Sequence, residues 1–184
     1  MVDVGRSTCA VYAFREGAFS ALGHDLKLQV TELTVEIGED LSVRASCQTD
    51  SVRVVGVLRQ GDTAAVDERL PSANDRQRIE HNVAHEILEA EKYPQATFRS
   101  TKVEPMGDRY RVVGLLDIQG TVREVAFTAE RQGDRAVARL TLNQPDFRIK
   151  PFRAMMGALR VKPEVLLEVS VPFPRDKAEG EAAS

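Results

Sequence analysis

A mainly antiparallel β fold is predicted by three features of the sequence. Segments rich in β-branched residues recur between turn signals, and several alternate apolar and polar residues so that one face stays dry. The connections GED, QGD, MGD and RQGD carry the glycine and acidic residues of hairpin turns. At 184 residues, 42% hydrophobic and 29% charged, the chain suits one domain that buries a core without disulfides or metals. Residues 1–174 read as that domain, and the polar, small-residue segment 175–184 as a flexible tail.

Taken in order, the first strand is STCAVYAF, followed by DLKLQVTELTVEI, in which Leu26, Leu28 and Val30 oppose Lys27 and Gln29. LSVRASCQ and SVRVVGVL come next. Cys9 and Cys47 fall in strands without CxxC spacing and read as small buried apolar residues, ahead of a disulfide or a nucleophile. The segment LPSANDRQRIEHNVAHEILEAEKYP breaks the alternation. It offers Ser72 or Asn74 as an N-cap and Pro94 as a stop. Ile79, Val83 and Ile87 recur every four residues, widened by Ala84 and Leu88, so an amphipathic helix over roughly residues 75–91 is expected against the β structure.

The remaining strands are ATFRSTKVE, RYRVVGLLDI, TVREVAFTAE, RAVARLTLN and EVLLEVSVPF. Val125, Phe127 and Ala129 share one face, as do Val165, Leu167, Val169 and Val171. About eight such strands fit a sandwich or a closed barrel equally, and periodicity does not choose between them.

A formal net charge of -3 gives no broad attraction for nucleic acid or an anionic membrane, so only local cationic patches could matter. The amino end, MVDVGRSTCAVYAF, has no charged lead followed by a long apolar run; a cytoplasmic location without an integral membrane segment is expected. His81 and His85, spaced i and i+4 with Glu89 one turn on, could reach one metal ion. They fall on the solvent side of the apolar stripe and lack the HExxH glutamate, so a solvated face is the better reading. His24 precedes Asp25, but neighbours in a strand point to opposite faces, which favours a turn hydrogen bond over a catalytic dyad. No GxSxG elbow, Walker loop or dinucleotide fingerprint occurs. No catalytic residue, metal or cofactor is therefore assigned.

Tyr93, Pro94, Thr97 and Phe98, then Gly114, Leu115, Leu116, Ile118, Gly120, Arg123 and Val125, and later Asp146 and Phe147, form a recognisable series. With HNVAHEILEAEK before it and LGHDLKL near the start, the chain resembles the YceI-like, polyisoprenoid-binding family from about residue 8 to residue 173. The resemblance implies an extended, lipocalin-like antiparallel β-barrel of about eight strands with one helix packed outside, enclosing an apolar channel for an isoprenoid or similar amphiphile. Members are commonly periplasmic and several are dimers, so a homodimer is among its implications. This chain departs in its amino end and in its longer connection KPFRAMMGALRVKP.

The stretch around it, DFRIKPFRAMMGALRVKPEV over residues 146–165, holds Phe147, Ile149, Phe152, Met155, Met156 and Leu159 among Arg148, Lys150, Arg153, Arg160 and Lys162. Two roles are open to it. It could plug the barrel and complete its core, or fold over one end as a lid whose cations ring an anionic head group. On the second role, Phe98, Leu115, Ile118 and Phe127 join those apolar residues as tail contacts, with Arg153 and Arg160 at the head. The expected function is non-enzymatic binding, transport or sequestration of a long-chain amphiphile, whether polyisoprenoid, quinone-like or fatty-acyl. The competing readings are a small metal-dependent enzyme using His24, His81 and His85, and a filled barrel acting as an interaction module.

Overall fold

The computed structural model describes residues 2–3, 6–17, 25–59, 62–67 and 70–173. His24 and the expected tail over 175–184 lie outside the described residues. The strands are β1 (Val2–Asp3), β2 (Thr8–Glu16), β3 (Asp25–Val30), β4 (Leu33–Ile37), β5 (Val43–Gln48), β6 (Val52–Arg59) and β7 (Asp62–Asp67). After the helix α1 (Ala73–His81) come β8 (Gln95–Met106), β9 (Arg109–Ile118), β10 (Thr121–Gln132), β11 (Arg135–Asn143), β12 (Arg153–Ala154) and β13 (Leu159–Pro172).

All described strands belong to one antiparallel sheet in the order β1-β4-β5-β8-β9-β10-β11-β13-β2-β3-β6-β7, with β12 beside β13. The sheet curls into a barrel because β3 and β4 are halves of one bent strand, and β5 and β6 are halves of its hairpin partner. Upper and lower halves pair with each other, as Val30 with Val52 and Leu33 with Cys47. The upper half then joins β2 and the lower half joins β8, so the ring of neighbours runs β2, β3/β4, β5/β6, β8, β9, β10, β11, β13 and back to β2. Counted this way the ring has eight members, which reconciles thirteen strand segments with the expected eight.

The bend is held by buried hydroxyls. Ser51 donates through Oγ to the Gln48 carbonyl at 2.7 Å and accepts from the Glu32 N–H at 3.1 Å, while its own carbonyl accepts from the Thr31 N–H at 3.0 Å. Thr49 donates to the Tyr93 carbonyl at 2.7 Å and its N–H bonds the Pro94 carbonyl at 2.9 Å. The Tyr93-Pro94 pair thereby fastens the end of the helical segment to the corner of the barrel.

The helix begins at Ala73, capped by Ser72, whose Oγ accepts the Asp75 N–H at 3.1 Å. From Asn82 to Ile87 it widens to π-helical geometry, and the Leu88 N–H bonds the Val83 carbonyl at 2.9 Å. Leu88 is thus set above Val83 on the inward side. Glu89, at a φ of +46°, ends the run before Pro94 can. The Glu80 carboxylate accepts the Val54 N–H at 2.9 Å, tying the helix to β6. Ile79 and Val83, four residues apart, and Leu88, brought into line by the π turn, pack against Cys9, Leu28, Val30, Val52 and Val54.

Gly114, in β9, has a packing reason. A Cβ there would lie 2.5 Å from the Phe98 ring and 2.6 Å from the Arg99 carbonyl oxygen. Its bare Cα leaves the floor on which the rings of Phe98 and Phe127, from the strands on either side, meet at 5.6 Å between centroids. Gly114→Ala is therefore expected to cost about 1–3 kcal/mol by overpacking. At roughly 2–4 °C per kcal/mol for a domain of this size, thermal unfolding measures the loss as a drop of about 2–12 °C. Phe98→Ala in the same chain recovers only part of it, because the Arg99 backbone remains in the way.

Candidate functional site

The barrel interior divides into a packed end and a hollow end. At the packed end Leu142, Phe147 and Ile149 are buried against Ile87, Leu88, Leu116, Ile118, Val125, Leu140 and Leu167. Phe147 sits in a 3₁₀ turn, Gln144–Phe147, and the chain reverses at Arg148, which takes the left-handed conformation at a φ of +62°. The Ile149 N–H bonds the Gln144 carbonyl at 3.1 Å, and Gln144 Nε2 donates to the Lys162 carbonyl at 3.0 Å. Arg123 Nε donates to the Asp146 carbonyl at 3.0 Å, and Asn143 Nδ2 to its carboxylate at 2.9 Å. Two motif positions far apart in sequence, Arg123 and Asp146, thus meet to seat the plug.

Above that plug lies a cavity of about 170 Å³. Its wall is made of side chains alternating along their strands: Val35 and Ile37 of β4, Val43 and Ala45 of β5, Phe98 and Val103 of β8, Tyr110, Val112 and Leu116 of β9. Val125, Phe127 and Ala129 of β10, Ala136, Ala138 and Leu140 of β11, and Leu167, Val169 and Val171 of β13 complete the ring, with Leu41 and Phe173 at the far end. Among the described residues, no charged side chain takes part. Several of these inward residues, such as Phe127, Ala129, Ala138 and Val169, are only half-buried, because there is space beside them. The space follows from small residues set next to large ones. Ala129 pairs with Ala138 across β10 and β11, Ala129 also lies opposite Tyr110, and Ala45 lies opposite Phe98.

Of the residues singled out from sequence, Phe98 and Phe127 line the cavity and Phe147, Ile149 and Ile118 form its floor. Leu115 does not. Strand β9 turns Tyr110, Val112, Leu116 and Ile118 inward, so Leu115, one residue out of phase, faces outward beside Arg99 and Glu124. Phe152 and Leu159 are half-buried outside the cavity wall. Met155 opens the turn Met155–Gly157, and the Met156 side chain projects fully into solvent, which corrects its assignment as a tail contact. Arg153 is exposed, and Arg160 pairs with Glu16 at 3.5 Å. Ala129, Ala136 and Ala138 also stand in the wall; the face shared by Val125, Phe127 and Ala129 signals the first, and nothing in the sequence singles out the other two.

The titratable candidates lie elsewhere. The rings of His81 and His85 are 4.4 Å apart on the exposed side of the helix, and His85 Nδ1 is 3.5 Å from Glu91. Among the described residues, no three His, Cys, Asp or Glu side chains converge on a point that could hold a metal. Asp25 is buried, accepts the Arg15 N–H at 2.8 Å and lies 3.9 Å from its guanidinium. Cys9 and Cys47 are free thiols in the core. Burial, helped by the nearby Cys47, pushes the Cys9 thiol up to about 12, so it stays protonated and a poor nucleophile at neutral pH. No helix among the described residues is long and apolar enough to cross a membrane.

Comparison with known proteins gives the same architecture. A family model described as the YceI-like domain matches residues 11–173. A UPF0312 protein of Pectobacterium atrosepticum is 36% identical over 88 residues, 39% of this chain and 46% of that protein. One from Photorhabdus laumondii is 36% identical over 61 residues, 33% of this chain and 32% of that protein. The chain thus spans less than half the length of the curated relatives it matches. Among solved structures, Burkholderia cenocepacia BcnA superposes with a TM-score of 0.62 at 17% identity, covering 93% of this chain and 98% of that one. A polyisoprenoid binding domain from Saccharophagus degradans gives 0.55 at 12% identity, covering 91% and 94%. At these identities the likeness is one of fold.

Proposed function

The chain belongs to the YceI-like family, and on that premise we propose that it is a binding protein whose barrel takes up the hydrocarbon tail of an amphiphile, an isoprenoid, quinone-like or fatty-acyl lipid, to carry or sequester it. The observation that supports this most is the cavity of about 170 Å³ walled entirely by apolar side chains. Apolar cavities near this size stay dry and accept small hydrocarbons. Burying one five-carbon isoprene unit contributes roughly 4 kcal/mol, at about 0.8 per carbon, before the costs of association and ordering are subtracted. One or two units fit the existing space. A longer tail has to move the floor formed by Phe147 and Ile149, or leave its remainder outside. The name of the Saccharophagus domain, a polyisoprenoid binder, favours an isoprenoid among the tails that so nonspecific a lining admits.

Native mass spectrometry of the freshly purified protein, alone and after incubation with farnesol or a fatty acid, tests the proposal. A retained or newly bound lipid at one per chain is expected. Uptake is expected to be unchanged in a His81→Ala, His85→Ala variant, since neither ring borders the cavity. Failure of every offered tail to bind would remove the proposal, and loss of uptake in the histidine variant would favour the metal-dependent alternative.

A further inference from the structure

The plug loop carries a second feature, on its outer surface. Arg148, Lys150 and Arg153 are all exposed and line one pocket of about 540 Å³ together with Pro145, Ile149 and Pro151. Five cations elsewhere on the barrel are paired with carboxylates: Arg15 with Asp25, Lys102 with Glu104, Arg109 with Glu130, Arg139 with Glu168 and Arg160 with Glu16. Arg148, Lys150 and Arg153 have no carboxylate partner among the described residues. The nearest acid in sequence, Asp146, is occupied by Asn143 Nδ2 at 2.9 Å. On the same loop Met156, held at a φ of +54°, stands clear of the protein. A fully exposed large apolar side chain in a left-handed conformation is disfavoured twice over in water.

We propose that this face docks the protein on an anionic lipid surface, with Arg148, Lys150 and Arg153 against the head groups and Met156 dipping among them. The charge pattern carries the assignment. A protein of net charge -3 is repelled as a whole by such a surface, so three cations gathered around one pocket without carboxylate partners among the described residues fix the orientation of approach. Cations near an anionic surface each strengthen binding about fivefold, so three together supply roughly a hundredfold. One methionine is too small an anchor to hold the protein alone, which makes the attachment reversible and sensitive to salt. The proposal concerns the outside of the plug loop and holds whatever occupies the barrel.

Co-sedimentation with phosphatidylcholine vesicles containing about one third phosphatidylglycerol, compared with pure phosphatidylcholine vesicles, tests it. Binding is expected only to the anionic vesicles, and it is expected to weaken steeply as ionic strength rises from about 0.05 to 0.5 M. The triple variant Arg148→Gln, Lys150→Gln, Arg153→Gln is expected to bind roughly a hundredfold more weakly with an unchanged melting temperature. Lys150→Gln alone is expected to lose about fivefold, and Met156→Ser severalfold. Equal binding to both vesicles, full retention in the triple variant, or complete displacement by millimolar inorganic phosphate would each overturn the proposal. The last of these outcomes would assign the pocket to a soluble oxyanion.

Discussion

Leucine at both Ala136 and Ala138 is expected to lower the affinity for a farnesyl-sized tail by roughly a hundredfold or more, without unfolding the protein. Both side chains project from β11 into the cavity; across the ladder Ala136 lies between Val171 and Arg131, and Ala138 between Val169 and Ala129. Six added carbons take up most of a space of about 170 Å³. The tail then loses the burial of several carbons at about 0.8 kcal/mol each, of which 2.7 kcal/mol already accounts for about a hundredfold. Stability moves the other way. At about 24 cal/mol per Å³, an unfilled cavity of 170 Å³ represents roughly 4 kcal/mol of missing packing, which offsets the usual 1–3 kcal/mol of overpacking strain. A melting temperature equal to or above that of the parent, with farnesol binding lost by calorimetry, is the expected pair of results. A variant that keeps its affinity would place the tail elsewhere.

Phe147→Ala is expected to have the largest effect on stability. Phe147 is 3% exposed and packs with Leu142 and Ile149 as the floor of the cavity. Truncating a buried phenylalanine costs about 3–5 kcal/mol, or about 6–20 °C in melting temperature at this chain length. Leu116, Val125, Leu140 and Leu167 border both the floor and the cavity. Removal of the ring therefore deepens the same space. The variant is expected to be destabilised when empty, to accept a longer tail than the parent, and to recover more melting temperature on adding that tail than the parent does. Competition between farnesol and geranylgeraniol measures the shift in preferred length.

Much of this architecture is legible in the residues because a barrel enforces strict alternation. The shared faces of Val125, Phe127 and Ala129 and of Val165, Leu167, Val169 and Val171 extend directly into the cavity wall or its floor. The helix stripe of Ile79, Val83, Ile87 and Leu88 does pack inward, although a π turn over Asn82–Ile87 that its spacing does not announce brings Leu88 into line with Val83. What periodicity leaves open is phase. In RYRVVGLLDI two adjacent leucines are equally greasy, and only counting back by twos from Ile118 picks Leu116 over Leu115. Emptiness is harder still to read. It arises from alanines that touch little, so the residues that make room carry a weaker signal than the aromatic ones that fill it.

The connection after β11 shows the same limit. Its greasy and cationic residues suit a plug and a lid equally from sequence, and the chain divides them between two sides of one loop. Phe147 and Ile149 turn in and close the barrel, whereas Arg148, Lys150 and Met156 turn out to solvent. The left-handed turns at Arg148 and Met156 make that division, and neither residue type announces such a turn.

The central claim is that the barrel keeps a dry interior volume for a hydrocarbon that is not its own. Diffraction from crystals soaked in a terminally brominated alkyl or isoprenyl chain tests this most directly, because the bromine can be located without interpreting weak density. An anomalous peak inside the ring, between Phe127, Ala138 and Val169, is expected. A peak found solely on the outer surface, with the interior unchanged, would contradict it.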